Sequence, residues 1–586
     1  MIKLLKKLSR RDWGYVLICI AFIVAQVWLD MTMPEYMSKI TVLVETPGSE
    51  MSEVWKAGGM MLLCALGSLV SAMICAVFSS RIGSNLASTL RSSMFNKVQS
   101  FSMEEIGRFS TASLITRSTN DIQQVLMFIV MGLQMLIKAP ITAGWAIYKI
   151  ADKEWQWTFS VGIAVVILLA VVGICIALTM PKFRKVQQLT DDINRVSREN
   201  LNGLRVVRAY NAEEYQEEKF EKANDMLAKT QMFTQRTMAF MMPSMQLVMS
   251  GLSLSVYWIG AYLLSRVDTI EGRIGMFGDM MVFTQYGIQV VMSFMMLVMI
   301  FMMLPRSSVS AKRVNEVLDT VPSIKNGVAL EGKKDVVGEV EFRNVSFRYS
   351  DAEEDVIHNI SFTAKKGETV AFIGSTGCGK STVVNLVPRF YDATKGEVLV
   401  DGINVKKYDE KALRNKIAYV SQKAILFSGS VRSNIAYGSN GKSNPTTEEV
   451  MEAVEVAQAK EFVDGLKDTY DGYVAQGGTN FSGGQKQRLS ISRAIARKAE
   501  IMIFDDSFSA LDYKTDRILR KALDEKCAGV TRLIVAQRIG TIRDADKIIV
   551  LDEGRVVGAG KHDELMKNCE VYQQIALSQL SKEELA

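Results

Sequence analysis

Charge of one sign is scarce in this chain. Across 586 residues, 69 Lys and Arg stand against 63 Asp and Glu, a net charge of +6. So small an excess over this length excludes the basic footprint of a nucleic-acid binder, and no nucleic-acid partner is expected. Cysteine pairing is also missing. Cys19, Cys64, Cys75 and Cys175 fall in apolar stretches and Cys378, Cys527 and Cys569 in the more polar part, which argues for reduced thiols rather than a disulfide framework. No small-residue cleavage site follows the basic N-terminus, against a removed signal peptide. The longer basic connections lack clusters of Gly and Pro, so they read as helix rather than loop.

What the chain does have is apolar length. Hydrophobic residues make up 48% and charged residues 23%, an average over two unlike parts. Six apolar segments run roughly from Gly14 to Tyr36, Ala57 to Phe78, Val125 to Ile150, Trp157 to Met180, Phe240 to Leu264 and Phe277 to Leu304. Each exceeds the ~20 residues that cross a hydrocarbon core of ~30 Å, so the lipid bilayer is an expected partner. The first thirteen residues form a basic amphipathic segment suited to the membrane interface. Lys3, Lys6, Lys7, Arg10 and Arg11 precede the first span, and the connections 81–124 and 181–238 are long and basic. The connections 46–56, 151–154 and 265–276 are short. The positive-inside rule then puts both termini and both long connections in the cytoplasm. Spans two to five are expected to continue as helices well beyond the bilayer.

Two intramembrane features stand out. Met292, Met295, Met296, Met299, Met302 and Met303 recur at helical spacing in the sixth span, and Met241, Met242, Met245 and Met249 in the fifth. Such thioether stripes suit either a pocket for varied apolar molecules, with Met295 and Met299 as candidate lining, or plain packing and lipid contact. Lys138, with Gln134 one turn earlier, is an ionisable group in the third span and either lines the transport pathway or snorkels. Asp30 reads as interfacial.

From Arg306 to Leu330 apolar residues thin out, marking a boundary. A membrane domain over residues 1–320, a linker over 321–337 and a soluble domain over 338–586 are expected. The last alternates short β-type runs with helices, as an α/β nucleotide-binding domain does. Thr369 to Ile373 reads as a strand leading into Gly374, Ser375, Thr376, Gly377, Cys378, Gly379, Lys380 and Ser381, and Thr382 to Leu386 as a helix. Strand, glycine loop and helix form a phosphate-binding P-loop, in which Lys380 reaches the β and γ phosphates and Ser381 joins the Mg2+ shell. ATP and Mg2+ are the expected cofactors. Tyr349, at the end of a strand, is placed to stack on adenine. Gln422 follows an apolar strand and can offer its carbonyl to Mg2+. Ser482, Gly483, Gly484 and Gln485 open a long helix. The run 501–504 ends in Asp505 and Asp506, a carboxylate beside the metal site. Ser509, Ala510, Leu511 and Asp512 follow.

In this order the motifs resemble those of the ATP-binding cassette superfamily, and the chain is similar to an exporter-type half-transporter over nearly its whole length. The resemblance identifies Gly374 to Thr382 as Walker A, Gln422 as the Q-loop, Ser482 to Gln485 as the signature, Ile501 to Asp505 as Walker B and Ser509 to Asp512 as the D-loop. Leu114 to Arg117 with Asn120 and Asp121, and Leu204 to Tyr210, resemble the segments around two cytoplasmic coupling helices. The fold implied is a membrane domain of six transmembrane α-helices followed by an α/β P-loop nucleotide-binding domain, in the bacterial plasma membrane. Two positions depart from the family pattern. Asp506 stands where Glu usually follows Walker B, and Gln537 where the switch usually carries His; the only histidines are His358 and His562. These catalytic positions resemble those of the degenerate half of a heterodimeric multidrug exporter. Such a half holds ATP, hydrolyses it poorly, and lends its signature to the active site of a second half-transporter. The expected cargo is an amphipathic small molecule. Lipid or peptide export, or a regulatory subunit that gates a channel or sensor, are the alternatives.

Overall fold

The structure is a computed structural model that describes residues 1–46, 48–151 and 153–579. Pro47 and Asp152, in two of the short connections, and residues 580–586 of the expected soluble domain lie outside the described residues. The chain divides into two compact units: residues 1–97 with 112–320, and residues 98–111 with the chain from Val321 onward.

Among the described residues of the first unit, six helices are long and apolar enough to cross a membrane: Arg10–Glu45, Met51–Gln99, Thr111–Ala151, Trp155–Asn202, Glu213–Leu264 and Ile270–Asp319. Each contains one of the six expected apolar segments. The second to fifth run 49, 41, 48 and 52 residues, far beyond the ~20 that a bilayer needs. The sixth is prolonged too, so the loss of apolar character at Arg306 marks a helix changing solvent and not a helix ending. Past that point it stays amphipathic, with Ser307, Ser310, Ala311, Val314 and Val317 buried at three- and four-residue spacing.

Charged and polar groups tie the first, second, third and sixth helices together. Lys138 Nζ lies 3.2 Å from Asp30 Oδ2, whose other oxygen accepts from Ser68. Lys149 pairs with Glu35 at 2.6 Å, and the Tyr286 hydroxyl donates to Met31 O at 2.7 Å. Asp30 is thus the ion-pair partner of Lys138. At the cytoplasmic end, Arg117 donates to Glu316 at 2.9 Å and Ser310 to Asp121 at 2.7 Å.

Among its described residues the second unit has twelve strands: β1 (Val340–Phe347), β2 (Ile357–Ala364), β3 (Thr369–Gly374), β4 (Lys395–Val400), β5 (Ile403–Asn404), β6 (Ile417–Val420), β7 (Gly429–Ser430), β8 (Tyr473–Val474), β9 (Ile501–Asp505), β10 (Thr531–Val535), β11 (Lys547–Asp552) and β12 (Arg555–Gly560). Six form one sheet in the order β12-β11-β3-β10-β9-β6, with β11, β3, β10, β9 and β6 parallel. The central strands are apolar on both faces, as strands covered on both sides must be; every residue of β9 is buried. A four-stranded antiparallel sheet, β2-β1-β4-β5, packs beside it. Residues 321–337 are stitched to this unit: Gly327 N donates to Tyr408 O at 2.9 Å, and Ser323 N donates to Glu105 of the 98–111 segment at 2.9 Å.

Candidate nucleotide-binding site

In a parallel sheet the loops at the carboxyl ends of the strands gather along one edge, and there the chemistry-bearing side chains collect. β3 ends at Gly374, and the chain turns through Gly377 (φ 87°) and Gly379 (φ 94°) before the helix Lys380–Leu386 begins. A side chain at Gly379 would meet Ile357, in a left-handed conformation that only glycine adopts at no steric cost. Ser375, Thr376 and Gly377 form an exposed rim, while Cys378 is buried. Lys380 folds back across the loop, its ammonium donating to Gly374 O (2.8 Å) and Ser375 O (2.7 Å) and resting 3.6 Å from Cys378 Sγ. The loop, with Lys380 at its mouth, is a concave anion cradle at a helix N-terminus.

The next layer comes from β9 and β6. Ser381 donates to Asp505 Oδ1 at 2.6 Å. The Tyr419 hydroxyl sits 3.1 Å from Asp505 Oδ2 and 2.8 Å from Asn385 Oδ1. Burial and the neighbouring Asp505 charge push that phenol far above its ordinary range, so it stays protonated. Ser381 and Asp505 are the oxygen donors a hard divalent cation requires. Gln422, the third expected ligand, instead turns its amide nitrogen to Asp506 Oδ2 at 3.2 Å.

Asp506 lies just past the end of β9, buried and in the left-handed region (φ 47°). Gln537 Nε2 donates to the same Oδ2 at 2.7 Å. Two glutamine amides therefore converge on one carboxylate oxygen. Burial raises the Asp506 carboxyl above its ordinary value, and Asp505 adds to the rise, against the hydrogen bonds that lower it. The Gln537 loop is itself held: Gln579 of the last described helix donates to Gln537 O at 2.8 Å and accepts from Ile539 N at 2.9 Å.

Tyr349 does not stand free. Its ring meets Phe347 and Tyr391 edge-on, and its hydroxyl lies 3.1 Å from Thr382 Oγ1. Ser482 and Gln485 close a capping box on the helix Gly483–Ala496: Ser482 Oγ accepts from Gln485 N (3.3 Å) and Ser482 N donates to Gln485 Oε1 (2.9 Å). Ser482 and Gly483 are exposed, and Gly484 gives close passage to Ala510 O. Leu511 is buried, and Asp512 caps the helix Tyr513–Lys526. Among the described residues no hydrogen bond joins 482–485 to Lys380, Ser381, Asp505 or Asp506; the polar contacts of Ser482 and Gln485 are those of the capping box. Of the membrane candidates, Lys138 is ion-paired, Met295 is 9% exposed and Met299 is 39% exposed.

Tyr419, Asn385 and Gln579 are absent from the sequence-derived site. Tyr419 carries a signal, since on β6 it alternates with buried Ala418 and Val420. Gln579 reaches the switch loop from 42 positions away and carries none.

Six long apolar helices joined to a P-loop unit with a separate capped signature helix define a nucleotide-driven membrane protein. Residues 16–303 match the ABC transporter transmembrane region, and residues 357–509 match the ABC transporter family. The chain is 39% identical over 524 residues to an uncharacterised ABC transporter ATP-binding protein of Mycobacterium tuberculosis, covering 89% of this chain and 87% of that protein. It is 33% identical over 493 residues to an ATP-dependent lipid A-core flippase of Pseudomonas aeruginosa, covering 83% and 79%. Its fold is similar to that of a bacterial Atm1-family ABC exporter solved with ATP bound (TM-score 0.78, 22% identity, 98% and 99% of the two chains). The chain belongs to the ABC transporter family: it is an exporter-type half-transporter, an ABC-type ATPase of the plasma membrane with its nucleotide-binding domain in the cytoplasm.

Proposed function

We propose that this chain is one half of a heterodimeric exporter that moves amphipathic small molecules out of the cytoplasm. In this reading its own ATP site is weakly hydrolytic, and its signature completes the active site of a second half-transporter. The observation that carries it is the pair of amides on Asp506. A base that must orient an attacking water needs its carboxylate free and correctly placed, and an error near 1 Å costs about 100-fold in rate. Asp506 is one methylene shorter than Glu, and its Oδ2 already accepts from Gln422 and Gln537. Gln537 cannot take the positive charge that His can. The binding parts are intact: the backbone amides of Gly374 to Gly379 and the Lys380 ammonium, now donating to Gly374 O and Ser375 O, would receive the phosphates, and Tyr349 and Thr382 border the loop. Ser381 and Asp505, with Gln422 once released from Asp506, would hold Mg2+, which when bound neutralises phosphate charge. Ser482 to Gln485 present an open helix end toward a partner's ATP, and Ser509 to Asp512 run beside them.

Steady-state ATPase activity tests this reading. The purified chain alone should turn over slowly, and Asp506→Asn should cost the assembled complex little, whereas replacing the partner's Glu after Walker B by Gln should abolish most turnover. Vigorous hydrolysis by this chain alone, lost in Asp506→Asn, would overturn the heterodimer. The flippase relatives favour a second reading of the cargo, a lipid, and vigorous hydrolysis by this chain alone would support a homodimer.

A further inference from the structure

Tyr419 sits beside the nucleotide site without belonging to any of its motifs. It lies on β6, paired with Ile503 of β9 in parallel register. Alternate residues of a strand share a face, so Asp505, two positions past Ile503, points to the same side of the sheet as Tyr419. The helix Lys380–Leu386 brings Ser381 and Asn385 to that side. The ring of Tyr419 is set by Phe390, which meets it at 74° with the centroids 5.3 Å apart.

Asp505 is buried, yet among the described residues its side chain forms no ion pair. Hydroxyl groups hold it instead: Ser381 donates to Oδ1 at 2.6 Å, and the Tyr419 hydroxyl lies 3.1 Å from Oδ2. A buried carboxylate oxygen without a donor costs free energy, and a carboxylate gripped at one oxygen only can turn about its Cβ–Cγ bond. Donors on both oxygens stop that turn. Orientation matters here because Mg2+ demands near-ideal octahedral geometry, and the hydrogen-bond partners of a metal-binding carboxylate fix how it is presented. The phenol has one proton to give and two acceptors in reach, since Asn385 Oδ1 lies 2.8 Å away and competes with Asp505 Oδ2.

We infer that Tyr419 is a positioning residue for the Mg2+ that accompanies ATP: its hydroxyl fixes Asp505 by the oxygen that Ser381 leaves free, and Asn385 draws on the same proton. Tyr419 acts through Asp505 and leaves the phosphates to the glycine loop and Lys380. This role rests on the reading in which Ser381 and Asp505 hold Mg2+, and it holds whether the second half of the transporter is a different chain or another copy of this one.

Binding of the fluorescent nucleotide TNP-ATP to the purified full-length chain, measured once with EDTA and once with excess Mg2+, tests this. The ratio of the two dissociation constants is the coupling between nucleotide and cation. Tyr419→Phe keeps the ring against Phe390 and removes the hydroxyl; it should lower the ratio about tenfold, through the value measured with Mg2+. Asn385→Ala removes the competing acceptor and should hold or raise the ratio. Asp505→Asn and Ser381→Ala, which strip the cation's own ligands, should bring it close to unity. If those two do so while Tyr419→Phe leaves the ratio where it was, weakens binding equally with and without Mg2+, or is matched by Asn385→Ala, the role of Tyr419 is overturned and the Mg2+ reading stands. A ratio close to unity in the unaltered chain would remove the Mg2+ reading and the role of Tyr419 with it.

Discussion

Asp506 concentrates several constraints in one residue. Its left-handed backbone is a conformation that Asp and Asn adopt more readily than most residues, its carboxylate is buried, and its pKa is raised from an ordinary 3.8. A carboxyl that holds its proton more tightly folded than unfolded favours the folded state below its unfolded pKa. That contribution is lost as pH rises through the folded value. At neutral pH the buried charge therefore weighs against folding. Asp506→Asn keeps the backbone preference and an acceptor for the two glutamine amides but removes the charge. Scanning calorimetry should show a higher melting midpoint for the nucleotide-binding unit at pH 7, with the advantage shrinking toward about pH 4; a midpoint that falls, or a gain that does not depend on pH, would contradict this account. The strand-end acids and the spacing from Gly374 to Lys380 were legible in the sequence because loop, helix start and strand end are local features. Which groups would crowd Asp506 was not, since Gln422 and Gln537 arrive from opposite sides along the chain, 84 and 31 residues away.

Among the elements, the membrane helices were legible by length and their partners were not. Apolar runs reveal a span whatever it packs against, whereas the pairing of Lys138 with Asp30 joins residues 108 positions apart. Both side chains are about one quarter exposed, 26% and 22%, and an ion in this setting depends on its counter-ion. Asp30→Asn leaves Lys138 charged without a carboxylate; Lys138→Met together with Asp30→Asn leaves neither charge. The double variant should be the more stable of the two in detergent melting, a positive coupling in a mutant cycle. If the single change at Asp30 proves harmless, the pair does not hold the first and third helices together. The sixth helix shows that composition and helix length are separate signals: apolar residues thin out from Arg306, while the helix carries its buried face on to Asp319.

For the whole molecule, six spans and cytoplasmic nucleotide chemistry fix which side of the membrane each segment faces, and the buried native cysteines make the arrangement easy to probe. With a membrane-impermeant maleimide on intact cells, Asp268→Cys in the connection before the sixth helix should be labelled, whereas Ser439→Cys in the nucleotide-binding unit should react only in inverted vesicles. The opposite pattern would reverse the orientation. The order of the two domains was legible because bilayer and water select opposite compositions; the assignment of residues 98–111 to the second unit was not, because it rests on contacts such as that of Glu105 with Ser323.

The length of the helices has a mechanical consequence. The 49 residues of Met51–Gln99 span about 74 Å, of which the hydrocarbon core takes ~30 Å. A rod of that kind, pivoting where it leaves the bilayer, has an outer arm of roughly 40 Å, so a tilt of about 5° sweeps its tip by ~3.5 Å. That displacement exceeds the reach of a hydrogen bond, while near the pivot the same tilt moves atoms by only a fraction of an ångström. The helices therefore act as a gear with a fixed ratio: a small angular change within the bilayer is enough to make or break contacts at the far end, and a push at the far end is delivered to the bilayer as a small displacement at high force.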